Sequence, residues 1–471
     1  MKFENEEIDC FEIIKDNENI SYVVAQLDEV TIMVLLHSPE MQNLIAQLLI
    51  ANNLKPNRKT INSVISDIEA CSYMVKDREE VFKRYAKHDG DLYVNSGEGN
   101  LAIKISAQDI KRVRCKKVRF LNSKYRGVIP YQNNVEGELG LLWKYVPIKG
   151  KNIKLLLLAW MVHSCFVDVN YPILLITGGA GSGKSTLTRI LKTILDPTSF
   201  GLSSPVKSID DVILAAKHNH LLAFDNNGSF SSDVQNMLCN ISTGANFSER
   251  KFYSNSEALI TRLCQPAIIN GLYSPFTQDD VIDRAVHLGL KQLTDEDYSK
   301  TGGEREWQSK FLEDLPSILR GLYELIQGVI AIRDKIKLPP ETPRMTDFVI
   351  TGLAAEKILK HEKGAFLKAY KNNLNVGLSH IIEDSALAHA LIAITKRLKD
   401  PVTCTRNELL NMLQERTKSH YSLMPKSPKE LGHELNKIQK ALFKLKGIDI
   451  QFLKRSSEGY RIKIIPPVVE E

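Results

Sequence analysis

The stretch Gly178-Gly179-Ala180-Gly181-Ser182-Gly183-Lys184-Ser185, followed by Thr186, places four glycines just ahead of a cation and a run of hydroxyls. Glycines let a backbone wrap so that successive N–H groups point at one anion, and a helix that begins there adds its positive end. At this spacing Lys184 meets the β- and γ-phosphates of a nucleoside triphosphate, and the Ser185 hydroxyl ligates magnesium. The bare pattern can arise by chance in a long chain, so its context matters. Ile173–Ile176 is a continuous apolar run, as in a strand buried on both faces. Leu187, Ile190, Leu191, Ile194 and Leu195 fall on one face of a following helix, which Asp196-Pro197 ends. ATP with Mg2+ is the predicted ligand.

Magnesium in such a loop needs a second acid, acting through water. His220–Asp225 reads HLLAFD, a short apolar strand ending in an acid, and makes Asp225 the partner of Ser185 in the predicted metal site. Asn226 and Asn227 follow. An amide can orient water but cannot take its proton, so the general base is unassigned, with Glu249 a distant candidate. A further apolar run, Ala267–Gly271, carries Asn270 near its end. Alone this is an ordinary strand-to-turn amide; after a phosphate loop and an acidic strand it can hold the attacking water or sense the γ-phosphate.

These residues need a scaffold. The chain has 471 residues, enough for several domains, and its 43% hydrophobic and 25% charged content suits a globular protein. Seven cysteines without a CxxC pair fit reduced thiols better than a disulfide framework, and the acidic N-terminus lacks a signal-peptide pattern. The apolar stretch 153–177 is broken by Asp168, Asn170 and Pro172 into a helix (Leu155–Val167) and a strand (Ile173–Thr177), each too short for a bilayer. The expected fold class is α/β, a P-loop core with a parallel sheet, a helical lid, a small α+β N-terminal domain and a C-terminal winged helix. The expected boundaries are 1–135, 136–300, 301–389 and 390–471, with a helical start to the first. A cytoplasmic protein without a membrane partner is expected.

The nucleotide-binding strings resemble AAA+ ATPases, and more narrowly the superfamily 3 helicases and poxvirus-type primase-helicases of viruses and mobile elements. Asp196-Pro197, Phe224-Asp225-Asn226, LCNISTGANFSERKFYSNSE (Leu238–Glu257), QPAIINGL (Gln265–Leu272), DDVIDRAVHLGL (Asp279–Leu290) and PRMTDF (Pro343–Phe348) carry the resemblance, which runs from about Leu155 to Val349. It implies that Asn270 is a sensor and that Arg284 is an arginine finger reaching a neighbouring subunit's γ-phosphate. It also implies a homo-oligomeric ring, by analogy a hexamer, that works beside a primase or other replication proteins. Read without the family, Arg284 is a surface arginine salt-bridged to Asp283. The stretch Tyr85–Tyr131 resembles the β-rich module that precedes the ATPase in this branch.

Two regions invite nucleic acid. A helix capped at Ser232 leads into Asn246–Tyr253; in the helicases it resembles, this insertion is a hairpin lining a central channel. There Arg250 and Lys251 would follow the phosphates of a single strand, and Phe252 or Tyr253 would stack on bases. The second is the C-terminal region. From Lys396 to Lys463 there are sixteen Lys/Arg against seven Asp/Glu, so this segment carries +9 and the rest of the +6 chain sums to −3. Thr405-x-x-Glu408 and Ser427-Pro428-x-Glu430 open two helices. Leu431, Leu435, Ile438 and Leu442 line one side of the second; His433, Lys437, Lys440 and Lys444 lie nearly opposite. Gly447 ends it, and Ile448–Leu453 with Tyr460–Ile465 form a wing carrying Lys454 and Arg455. Such a face suits duplex DNA, although a lysine face is also commonly just solvated.

The expected function is therefore an ATP-driven DNA helicase or translocase of a mobile element or phage. The rivals are a regulatory or defence ATPase switch that unwinds nothing and a small-molecule kinase. The chain's length, Arg284 and the basic C-terminal region weigh against the kinase.

Overall fold

The computed structural model describes residues 2–3, 6–7, 11–27, 30–115, 117–250, 258–294, 304–383, 385–398, 400–416, 424–454 and 460–467. After a short pair of two-residue strands, the chain opens on a strand meander rather than a helix: β1 (Phe11–Lys15), β2 (Ser21–Leu27) and β3 (Val30–Leu35) pair antiparallel. Alternation of Val23 and Ala25 with Tyr22 and Val24 gives β2 two apolar faces, and one of them packs on α1 (Pro39–Ala51) and α2 (Arg58–Ser72). Ser38 and Asn57 cap these helices through their side chains.

A second antiparallel sheet follows, built from β4 (Tyr85–His88), β5 (Asp91–Asn95), β6 (Leu101–Ile105) and β7 (Ile110–Arg114). Its inner face, with Tyr85, Leu92, Val94 and Ile103, merges into the largest core of the molecule. The region expected as one accessory domain is thus two modules, and the second shares its core with the P-loop region. The helix α3 (Lys151–His163), buried from Leu155 onward, supplies Leu155–Val162 to that core and so explains the long apolar run there.

The central sheet is parallel throughout. In chain order its strands are β8 (Ile173–Gly178), β9 (Leu222–Phe224), β12 (Ala267–Gly271) and β13 (Ala285–Leu290); across the sheet they run β9-β12-β8-β13. Between them come α4 (Lys184–Leu195), α5 (Ile209–His218), α6 (Ser232–Thr243), the hairpin of β10 (Ala245–Arg250) and β11 (Ala258–Leu263), and the one-turn α7 (Asp279–Ile282). The N-cap of α6 is Ser231, one residue ahead of the expected Ser232.

The helical region holds α8 (Glu304–Ile332), α9 (Thr346–Ile358), α10 (Ala365–Glu383) and α11 (Ala386–Thr395). Among the described residues one helix, Arg305–Lys335, is long and apolar enough to cross a membrane, and half of that window is buried. Phe311, Leu315, Ile318, Leu319 and Leu322 form its core-facing stripe. The last region contains β14 (Val402–Thr405), α12 (Arg406–Arg416), α13 (Pro428–Lys446), β15 (Asp449–Phe452) and β16 (Arg461–Ile465), with sheet order β14-β16-β15. Thr405 and Glu408 exchange the two hydrogen bonds of a capping box, and Gly447 ends α13 at φ +68°. The boundary expected at 389/390 falls inside α11. Leu378, Leu387 and Leu391 share a core with Leu431, Leu435 and Ile438, so the C-terminal elements are packed onto the rest.

Candidate functional site

β8 delivers the glycine loop to the carboxyl edge of the central sheet, and α4 starts at Lys184 with Gly183 as its cap. Gly183 adopts φ +81°, where a side chain is strained. A Cβ on Gly178 would come within 2.6 Å of Leu290 O and of Ser182 Oγ, so this turn admits no other residue. Lys184 Nζ donates to the carbonyls of Gly178 and Gly179, at 2.8 Å each, and so rests on its own loop. The Ser182 hydroxyl is fully buried and has no partner among the described residues.

The acidic strand arrives beside it. Ser185 Oγ donates to Asp225 Oδ1 at 2.8 Å, bringing together the two residues expected to share magnesium. Asn270, on β12 between β8 and β9, is completely buried. Its amide donates to Thr188 Oγ1 at 2.8 Å, and its carbonyl oxygen accepts the Asn226 N–H at 2.8 Å. Thr188 in turn donates to Lys184 O. Asn270 therefore ties the acidic strand to the first turn of α4. Asn226 is exposed with φ +56°, a left-handed conformation that asparagine tolerates. Asn227 turns inward, where its Nδ2 donates to Phe224 O. A glycine cradle, an ammonium held on two carbonyls that phosphate can replace, and a hydroxyl–carboxylate pair fit a magnesium-bound triphosphate.

Arg284 does not face open solvent. Its side chain is 11% exposed, with Nη2 3.0 Å from Asp280 Oδ2 and Nη1 donating to Cys239 O and Thr243 Oγ1. The carbonyl end of α6 and an acid one turn back both attract the guanidinium. The expected surface pairing with Asp283 does not form: Asp283 takes Lys440 from α13, and Asp280 is shared with Arg344.

That contact also alters the C-terminal lysine face. Lys437 pairs with Glu434 on its own helix and Lys440 with Asp283 just after α7, and both lysines are half-buried. Lys444 and Lys454 are exposed. In the hairpin, Arg250 closes β10 without a described side chain; Lys251, Phe252, Tyr253 and Arg455 lie outside the described residues. The backbone of Glu249 is in β10, on the hairpin, and its side chain lies outside the described residues.

One buried network escaped the sequence reading. Asp196 accepts from Arg84 Nε at 3.0 Å, from Lys192 Nζ at 2.9 Å, and from the backbone N–H groups of His220 and Leu221. Burial alone would raise the Asp196 pKa, but Lys192 and Arg84 hold it far below the ordinary carboxylate range. Arg84 also donates to the carbonyls of Asn95, Gly127 and Pro197, clamping the second sheet to the end of α4. The four-residue spacing of Lys192 and Asp196 was the available signal; nothing local marks Arg84.

A family profile described as the actinomycete integrative conjugative element replication protein matches residues 139–376, about half of the chain. No curated protein matches. Among solved structures, the SCCmec type IV Cch active helicase aligns over 97% of this chain and 93% of its own, at 12% identity and a TM-score of 0.46. The NrS-1 C-terminal region aligns over 97% of both chains at 11% identity and a TM-score of 0.38. Likeness at this level does not establish a shared fold. The matched span runs from ahead of α3 through the P-loop, Asp225, Asn270 and Arg284 into α10, and the chain belongs to the actinomycete integrative conjugative element replication protein family.

Proposed function

We propose that this replication protein is an ATP-driven DNA helicase or translocase of the AAA+, superfamily 3-like kind, working as a ring. The observation that carries the reading is the convergence of Lys184, Ser185, Asp225 and Asn270 within one hydrogen-bonded cluster. The insertion of the Asn270 strand between the P-loop strand and the acidic strand supports the same reading.

The glycine loop, residues 178–183, would wrap the phosphates, and Lys184 would exchange its two carbonyls for phosphate oxygens. Ser185 and Asp225 would hold Mg2+, with Thr186 beside the loop. Bound magnesium would neutralise charge on the phosphates as the terminal phosphoryl group is transferred to water. Asn270 would fix the spacing between Lys184 and Asp225, and exposed Asn226 would be placed to orient water. Arg284 would leave Asp280 to reach a neighbour's nucleotide, so the ion pair would be a resting position. Duplex DNA would meet the C-terminal elements, read as a winged helix, through Lys444 and Lys454 with Arg455. A single strand would meet Arg250 and Lys251.

The test combines ATP turnover with strand displacement. Single-stranded DNA should stimulate turnover, and a forked duplex should be unwound only with hydrolysable ATP. Turnover without displacement on any fork would favour a regulatory ATPase switch.

A further inference from the structure

We propose that the exposed cluster around Tyr125 and Phe200 is a contact surface for single-stranded DNA, apart from the channel hairpin and the C-terminal wing. The inference rests on the DNA partner of the preceding reading, but not on its nucleotide chemistry.

Two loops meet at the far end of α4 from the glycine loop. A helix of this length separates the two places by about 18 Å. The loops are clipped by backbone bonds, Gly127 N to Pro197 O at 2.8 Å and Ser199 N to Tyr125 O at 2.9 Å. Arg84 donates to the carbonyls of Gly127 and Pro197 beneath them. The platform is therefore held rigidly, which lowers the ordering cost of binding.

On it stand two aromatic rings that the core does not claim. Tyr125 is 38% exposed and Phe200 45%, with ring centroids 5.7 Å apart in an edge-to-face arrangement. His218 adds a third ring, 6.2 Å from Tyr125. Single exposed apolar residues need no explanation, but a clustered set marks an interaction site.

The surroundings are cationic. Lys124 Nζ lies 5.0 Å from the Tyr125 ring centre. Arg126 Nε is shielded from solvent without an acceptor among the described residues, and burial together with Arg84 pulls its pKa down to about 10. Lys83 donates to Ala216 O, and burial, then the charge of Arg126, pulls it down to about 8. Among the described residues the acids acting on these groups are Asp196, Glu18 and Glu40. Asp196 is committed to Arg84 and Lys192, so Lys83, Lys124 and Arg126 face only Glu18 and Glu40 among the described residues and the cluster keeps an excess of positive charge. Cations beside exposed rings fit phosphates beside bases. Paired bases cannot offer their faces to such rings, so the partner is a single strand rather than a duplex.

The experiment measures binding of the full chain, without nucleotide, to a labelled oligothymidylate and to a duplex of equal length. Tyr125→Ala with Phe200→Ala should weaken single-strand binding at least about tenfold, since each lost stack removes a base contact. Duplex affinity and basal ATP turnover should stay within about twofold. Lys124→Glu, at an exposed position that fills no core, should weaken single-strand binding and lower its salt slope by about one or more. Single-strand affinity within about twofold of wild type in these variants, or an equal loss for duplex, overturns the proposal. A chain that binds oligothymidylate through this surface yet hydrolyses no ATP would sink the ATPase reading alone.

Discussion

Asn270 donates a 2.8 Å hydrogen bond to Thr188 while its carbonyl oxygen accepts the Asn226 N–H, all beneath the loop that carries Lys184. One buried amide thus couples the strand end bearing Asp225 to the helix bearing Lys184. Asn270→Ala would leave the Asn226 N–H without its acceptor, at a cost of about 1–3 kcal/mol. We expect a lower urea midpoint and slower ATP turnover, with Asn270→Asp recovering neither fully because it lacks the N–H that Thr188 accepts.

The Arg84–Asp196 pair makes a second prediction. Removing one partner of a buried ion pair leaves the other charge uncompensated, typically at a cost of about 3–5 kcal/mol. Arg84→Met should therefore destabilise strongly, whereas Arg84→Met with Asp196→Asn should recover part of the loss. Because the folded pKa of Asp196 is depressed, its contribution is fully present above the unfolded value of about 3.9 and is lost as pH falls below it. Denaturant midpoints of these two variants and the wild type between pH 7 and pH 3 would test both statements.

Burial lowers His163 and His220 to about 4 from an ordinary 6.5. His163 sits between Thr351 Oγ1 and Asn170 O, and His220 against Ser164 O. Below pH 6.5 the unfolded chain takes up protons that the folded chain refuses, so stability is fully present above 6.5 and falls towards pH 4. The expected loss by pH 4.5 is on the order of 2 kcal/mol for each histidine. A His220→Asn chain should show a flatter profile over this range in urea titrations.

Arg284 distinguishes a shared active site from an internal strut. If it serves a neighbour, Arg284→Ala should bind ATP nearly normally but hydrolyse it slowly, because the guanidinium acts on charge in the transition state. Mixing it with Lys184→Ala should restore part of the turnover, since some interfaces would pair an intact loop with an intact arginine. Loss of stability without rescue on mixing would leave Arg284 as the tie between α6 and Asp280.

The order of chemistry along the chain was legible because local pattern decides it. A glycine loop between an apolar run and an amphipathic helix, a short strand ending at Asp225, and the caps at Thr405, Ser427 and Gly447 all depend on neighbours in sequence. What was missed depends on distant partners. The N-terminal meander was misread because its short apolar runs do not tell strand from helix by periodicity alone. Arg84 meets Asp196 across 112 positions. Lys440 looks like part of a free face until α7 brings Asp283 to it, and no spacing along α13 could announce that contact.

The account depends most on Lys184, and its direct test is ATP turnover by Lys184→Ala beside wild type, with binding of a fluorescent ATP analogue and the thermal melt recorded on the same samples. Among the described residues the side chain reaches only its own loop carbonyls, and it fills no core, so the melt should not move. Turnover should fall by at least about a hundredfold, as expected when a charge that grips the transferring phosphoryl group is removed. Turnover near the wild-type rate in a normally folded Lys184→Ala protein would contradict the nucleotide site itself.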